Sequence, residues 1–264
     1  MFALTTGITP TTGGTHNVMT KRDVKCYNFD GVNEYVNTTM TGNELLATDA
    51  LTIAAWVRFD DGQTDANERI CGVEEGGDQL KLFKYTTGHI GFMLLRGGSY
   101  QIGKTSAQLS NGQSDWVFVA GKYDAAAAGN DYAWASLNVS DWEHTTEGAG
   151  FSKPVIPNQN MWLGATNDDG AFEEGMAGSI SNIVFFNKAL SQAELSELYD
   201  GGMAFKNVSP NQIGGVIAWY RMGDESSDSN TVLVDASGNG NTGTVVNMEG
   251  GDLDTDSPGN PFGL

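Results

Sequence analysis

Tyr27-Asn28-Phe29-Asp30-Gly31-Val32-Asn33-Glu34-Tyr35-Val36 and Gly178-Ser179-Ile180-Ser181-Asn182-Ile183-Val184-Phe185-Phe186-Asn187-Lys188-Ala189-Leu190-Ser191 are the stretches that decide the fold. The first reads as a strand, a tight Asp-Gly turn and a second strand. The second reads as a strand that runs into a capped helix. Ser191 and Glu194 form a capping-box pattern. Leu195, Leu198 and Tyr199 give Ser191–Tyr199 an apolar stripe, and Gly201-Gly202 stops it. The two stretches frame an all-β domain with one late helix. They point to a binding module more than to an enzyme.

Working outward, Leu51-Thr52-Ile53-Ala54-Ala55-Trp56-Val57-Arg58-Phe59 alternates, with Leu51, Ile53, Ala55, Val57 and Phe59 on one face. Period two predicts a half-buried strand. Arg69–Val73, Gln79–Tyr85, His89–Leu95 and Tyr100–Lys104 follow, punctuated by Gly76-Gly77, Thr87-Gly88 and Gly97-Gly98. Trp116–Tyr123, Tyr132–Val139, Asn160–Gly164 and Val216–Met222 continue the meander, with two more strands read at Thr231–Val234 and Thr242–Met248. Strands at this spacing argue for an antiparallel two-sheet sandwich. Three segments result: an extended arm over 1–25, the sandwich over 26–248, in which 216–248 completes the sheets, and an acidic tail over 249–264.

Composition narrows the function. The 264 residues carry a net charge of −19. A phosphate-backbone binder needs a basic face, so nucleic acid is excluded as a partner. No apolar run is long enough to insert in a membrane. No basic region followed by an apolar stretch succeeds Met1, which predicts no secretory signal and release by another route, such as assembly into a particle freed by lysis. Cys26 and Cys71 each sit beside a predicted strand, as core residues or as one bridge.

Asn28–Val36, Leu51–Phe59 with Trp56, Trp116–Tyr123, Met161-Trp162-Leu163-Gly164 and Phe172–Tyr199 form an ordered series that resembles the laminin-G-like members of the concanavalin A-like lectin/glucanase superfamily. Trp219–Asp224 and Asp235–Thr244 resemble a stretch that often precedes the first strand in that family; here it follows the helix. Chain termini that lie close together tolerate such an order. The arrangement is similar to that of proteins from phages and viruses of aquatic bacteria. The resemblance implies a jelly-roll sandwich (concanavalin A-like), with roles in glycan binding, adhesion, calcium binding or, in some branches, glycoside hydrolysis.

The candidate chemistry is sparse. Glycosidases use two carboxylates flanking one bond, but no Glu-x-Asp-x-x-Glu occurs. Glu74-Glu75 and Glu173-Glu174 are adjacent pairs and read as solvated loop charges. His16, His89 and His144 lie in no nucleophile or zinc context. The pattern names no catalytic residue and no enzyme. Asp235-x-Ser237-x-Asn239-Gly240 places oxygen ligands at alternate positions, as in half of a calcium loop. Val246 stands where the bidentate Glu is required, which favours a Gly/Asn turn. Tyr100, Trp134 and Trp142 lie near loops and are candidates to stack on a sugar, with Asn167 and Asp168 as polar contacts. Trp56, Trp116, Trp162 and Trp219 read as core. The leading expectation is a virion structural or capsid-decorating protein, located in the virion, with other virion proteins or host surface glycans as partners. A free, extracellular, calcium-dependent lectin is the alternative, and a glycoside hydrolase stands last.

Overall fold

The structure is a computed structural model that describes residues 25–64, 66–127, 132–144, 158–199, 208–256 and 258. The arm read over 1–25 lies outside these residues, apart from Lys25. In chain order the strands are β1 Cys26–Asp30, β2 Tyr35–Thr41, β3 Ala50–Phe59, β4 Glu68–Glu75, β5 Asp78–Lys84, β6 His89–Arg96, β7 Ser99–Gln108, β8 Val117–Asp124 and β9 Ala133–Leu137. They continue with β10 Asn160–Leu163, β11 Thr166–Asp168, β12 Ala171–Glu173, β13 Ala177–Phe186, β14 Val216–Tyr220, β15 Val232–Leu233, β16 Gly243–Val246 and β17 Leu253–Asp254. One seven-stranded sheet runs β17-β1-β13-β3-β8-β9, with β14 also on β13. A ten-stranded sheet runs β15-β16-β2-β10-β4-β5-β6-β7, with β11 and β12 attached at β4. Pairing is antiparallel except for β11 on β4. The architecture is a two-sheet sandwich consistent with a jelly roll.

Alternation produces the core. Leu51, Ile53, Ala55, Val57 and Phe59 all face the opposite sheet, where they meet Ile70, Val73, Leu80, Leu82, Phe92 and Leu94. Burying each of these Val, Leu, Ile and Phe side chains contributes about 1.5–3 kcal/mol. The half-buried reading of β3 needs correction, because its other face is also covered. Ala54 and Trp56 join Phe118, Ala120, Val184 and Phe186 under Leu195 and Leu198. Those leucines belong to helix α2, Gln192–Tyr199.

Besides α2 the described residues hold two one-turn helices, α1 Gly42–Leu45 and α3 Pro210–Ile213. Thr41 caps α1: its hydroxyl accepts from Glu44 N at 3.2 Å, and Glu44 Oε2 accepts from Thr41 N at 2.9 Å. Ser191 and Glu194 cap α2 in the same reciprocal way. Cys26 and Cys71 are buried and free, one in each sheet. The stretch after 248 adds strand β17 to β1, through Cys26↔Asp254 and Tyr27↔Leu253. Asp256 anchors it with an ion pair to Arg58.

Candidate functional site

The two sheets present different outer faces. That of the seven-stranded sheet carries α2. That of the ten-stranded sheet bears no helix among the described residues, and its register sets side chains in rows. Because Ile70, Val73, Leu80, Leu82, Ile90, Phe92 and Leu94 point inward, their alternates point outward. One row is Arg69–Phe83–Gly91–Lys104 across β4 to β7. The next is Asn37–Trp162–Gly72–Lys81–Met93–Ile102 from β2 to β7. The third is Glu74–Gln79–Leu95–Tyr100. With strands about 4.8 Å apart, four of them make a platform roughly 15 Å wide.

A bulge puts Arg69 on this face. The register shifts between Arg69 and Cys71, so Arg69 shares a side with Gly72 and Glu74 despite its odd spacing. Two glycines make room. A Cβ on Gly91 would lie 2.6 Å from the Phe83 ring and 2.7 Å from that of Tyr85, and one on Gly72 would lie 2.6 Å from Thr166 Oγ1.

Charge and aromatic rings interleave here. Arg69 lies 4.5 Å from the Phe83 ring centroid and Lys104 Nζ 4.8 Å from that of Tyr85. Arg69 forms an ion pair with Glu174. Lys81 Nζ sits 2.8 Å from Glu74 and 3.9 Å from Glu174. The reading of Glu74 and Glu174 as solvated loop charges is therefore corrected: both neutralise buried cations. The Lys81 ammonium thus lies within ion-pair distance of both carboxylates. Burial pushes the Arg69 guanidinium down, and Glu174 opposes that. Glu174 has φ 49°, a left-handed conformation that costs a side-chain-bearing residue about 1–2 kcal/mol.

Beside this quartet Tyr35 stacks on Trp162 with centroids 3.7 Å apart and planes at 16°, and Phe172 leans on Tyr35 at 6.1 Å. Trp162 is buried, but by this stack and not between the sheets. Asn37 and Asn160 join across β2 and β10, Asn160 Nδ2 donating to Asn37 Oδ1 at 3.2 Å.

The sequence candidates fall in three places. Tyr100 ends the third row and is 36% exposed. Asn167 and Asp168 lie on β11 against β4. Asn167 Nδ2 donates to Asn160 O at 2.8 Å, and burial, then Glu74 and Asp169, raise the Asp168 carboxyl. Trp134 and Trp142 belong to the other sheet's side, where Lys122 Nζ lies 5.1 Å and 4.5 Å from their ring centroids. Asp235, Ser237 and Asn239 form a loop pinned to β14. Asp235 Oδ1 accepts from Trp219 N at 3.0 Å and Ser237 N at 2.9 Å, and Oδ2 accepts from Asn241 N at 3.0 Å. Asn239 Nδ2 donates to Val216 O at 2.8 Å. These bonds are those of a structural turn.

Sequence reading did not foresee an acidic cavity of about 500 Å³ lined by Asp30, Asn33, Glu34, Asn247, Glu249 and Asp252. Glu34 is 6% exposed, and its Oε2 accepts from Asp30 N at 2.6 Å. Burial first, with Asp252 and Asp30 adding to it, pushes its carboxyl up to about 7. Among the described residues no group of three His, Cys, Asp or Glu is arranged to hold a metal ion.

A sandwich with these motifs defines a class, and sequence comparison agrees. The laminin-G family Laminin_G_3, of the concanavalin A-like lectin/glucanases superfamily, matches residues 30–196. The chain belongs to this family. No curated protein matches it in sequence. Among solved structures it is similar to a Bacteroides ovatus protein described as carbohydrate binding, at 18% identity and TM-score 0.62, over 90% of this chain and 62% of that one. It thus spans less than two thirds of that protein's length. It is also similar to the carbohydrate-binding module (CBM40) of a Ruminococcus gnavus sialidase bound to α2,3-sialyllactose, at 18% identity and TM-score 0.51, over 67% of this chain and 99% of that one. A pentraxin from Limulus polyphemus aligns at 18% identity and TM-score 0.52, over 85% and 94% of the two chains. At such identities the likeness is one of fold.

Proposed function

We propose that this chain is a non-catalytic carbohydrate-binding module whose glycan lies along the outer face of the ten-stranded sheet. One observation carries the reading: the register collects Tyr35, Trp162, Phe172 and Tyr100 with Arg69, Lys81, Lys104, Asn37 and Asn160 on one face that no helix covers among the described residues. Rings offer apolar faces to sugar C–H groups, and amides and charged groups bond the hydroxyls. Carbohydrate-binding proteins of the same fold support it. A calcium requirement through Asp235, Ser237 and Asn239 has less support, because the groups it would use are bonded to backbone. The expected virion setting, with virion proteins as partners, draws on the arm over 1–25, the acidic charge and the family resemblance, and is separable from glycan binding.

The test is a glycan array followed by calorimetry on the best ligand. Tyr35→Ala and Lys104→Ala are each expected to weaken binding tenfold or more, about 1.4 kcal/mol. Glu197→Ala, on exposed α2, leaves it unchanged. Absence of any glycan ligand, or one indifferent to both face substitutions, overturns the proposal.

A further inference from the structure

Buried donors normally find acceptors. Around Gly72 four do not: Arg69 Nε and Nη1, Trp162 Nε1 and Thr166 Oγ1 are all buried without a hydrogen-bond partner. The register groups them, since Trp162 and Thr166 both pair with Gly72 and Arg69 is the next outward side chain along β4. The shortage is one of acceptors. The acceptor that is present, Glu174, engages Arg69 through Nη2 alone and leaves two of its nitrogens unused. A guanidinium reaches its best pairing when a carboxylate takes two N–H groups at once. Glu174 is also the more exposed partner: its side chain is 35% exposed while that of Arg69 is 6% exposed.

We infer that Glu174 is a displaceable stand-in for an acidic ligand, and that Arg69, flanked by Lys81, Trp162 and Thr166, forms a subsite for the carboxylate of an acidic sugar. The inference rests on the glycan-binding reading above. Exchange conserves charge: a ligand carboxylate that replaces Glu174 leaves Arg69 paired, whereas a neutral sugar that displaced it would strand a buried cation. Lys81 keeps Glu74 throughout, at 2.8 Å.

The test titrates the whole chain with an oligogalacturonate and with its fully methyl-esterified form, which keeps the shape and removes the charge. Wild type is expected to bind the acid and not the ester at this subsite. Glu174→Gln and Glu174→Gly are expected to bind the acid about tenfold tighter, the penalty removed when a tenth of molecules are otherwise open. Melting curves accompany the titrations, because a loss of stability alone is expected of any Arg69 partner. Acid binding that is absent, unchanged or weakened in both variants overturns the inference, as does an equal gain for acid and ester. Binding of both forms that is lost in Tyr35→Ala but indifferent to residue 174 overturns the subsite and leaves the glycan face standing.

Discussion

The outer faces of the two sheets start from the same alternating pattern and end differently. On the seven-stranded sheet Trp56, Phe118, Val184 and Phe186 meet Leu195 and Leu198 of α2 and become a second core. On the ten-stranded sheet Phe83, Met93, Leu95 and Ile102 alternate just as regularly, but they share their rows with Arg69, Lys81, Gln79 and Lys104, and only Met93 and Ile102 stand directly opposite each other. The lesson is that a strand's second face becomes core only where another element is supplied to cover it. Where none is present among the described residues, Arg, Lys and Glu share the rows with the apolar groups and limit the size of the apolar patch.

The largest effect is expected on the covered side. Phe186→Ala removes a buried ring from the second core and should cost about 3–5 kcal/mol in chemical denaturation. A loss near zero would mean that α2 is not a true cover. Asp235→Ala, which unties the loop that holds β14 beside that core, should cost about 1–3 kcal/mol. Melts with calcium or with a chelator should give the same loss; a calcium-dependent difference in the parent chain would restore the cation reading of Asp235, Ser237 and Asn239.

Between the faces sits Glu34. In the unfolded chain it ionises in the ordinary carboxylate range, whereas the fold holds its proton to about 7. The stability this group supplies is full at acid pH below the unfolded value and is lost as pH rises through 7. Unfolding free energy should fall between pH 5 and pH 8 by about 1–2 kcal/mol, read by chemical denaturation across that range, and Glu34→Gln should flatten that slope. An unchanged slope would show that the acidic cavity does not titrate with folding. The smallest effect belongs to the open face: Tyr100→Ala should change stability by no more than about 0.5 kcal/mol, measured by denaturation, while weakening glycan binding.

Much of the sandwich was legible. β3 announced itself by alternation, β13 as the strand that leads from Gly178 toward Ser191, and the helix after Ser191 by its cap and stripe. Thr41-x-x-Glu44 and Ser209-x-x-Gln212 carry the same capping signature and mark α1 and α3, but too few apolar residues follow them to draw notice. β17 hid in the Asp252–Asp256 alternation, because its single Leu253 is a weak strand signal. The site was less legible for a physical reason. Arg69 faces outward only because of a bulge, which pairing partners create and local sequence does not mark. Its counterion Glu174 lies far along the chain, so their meeting depends on the parallel seat of β11 on β4. Loop position suggested Trp134 and Trp142; both rings lie beside Lys122, on the side of the other sheet.

The contrast between the faces has one direct measurement: hydrogen exchange by mass spectrometry with and without the tightest glycan from the array. The account predicts added protection in β4 to β7, β10 and the β11–β12 hairpin, with none in α2 or β8. Protection confined to α2, β8 and β9, with the ten-stranded sheet unchanged, would contradict it.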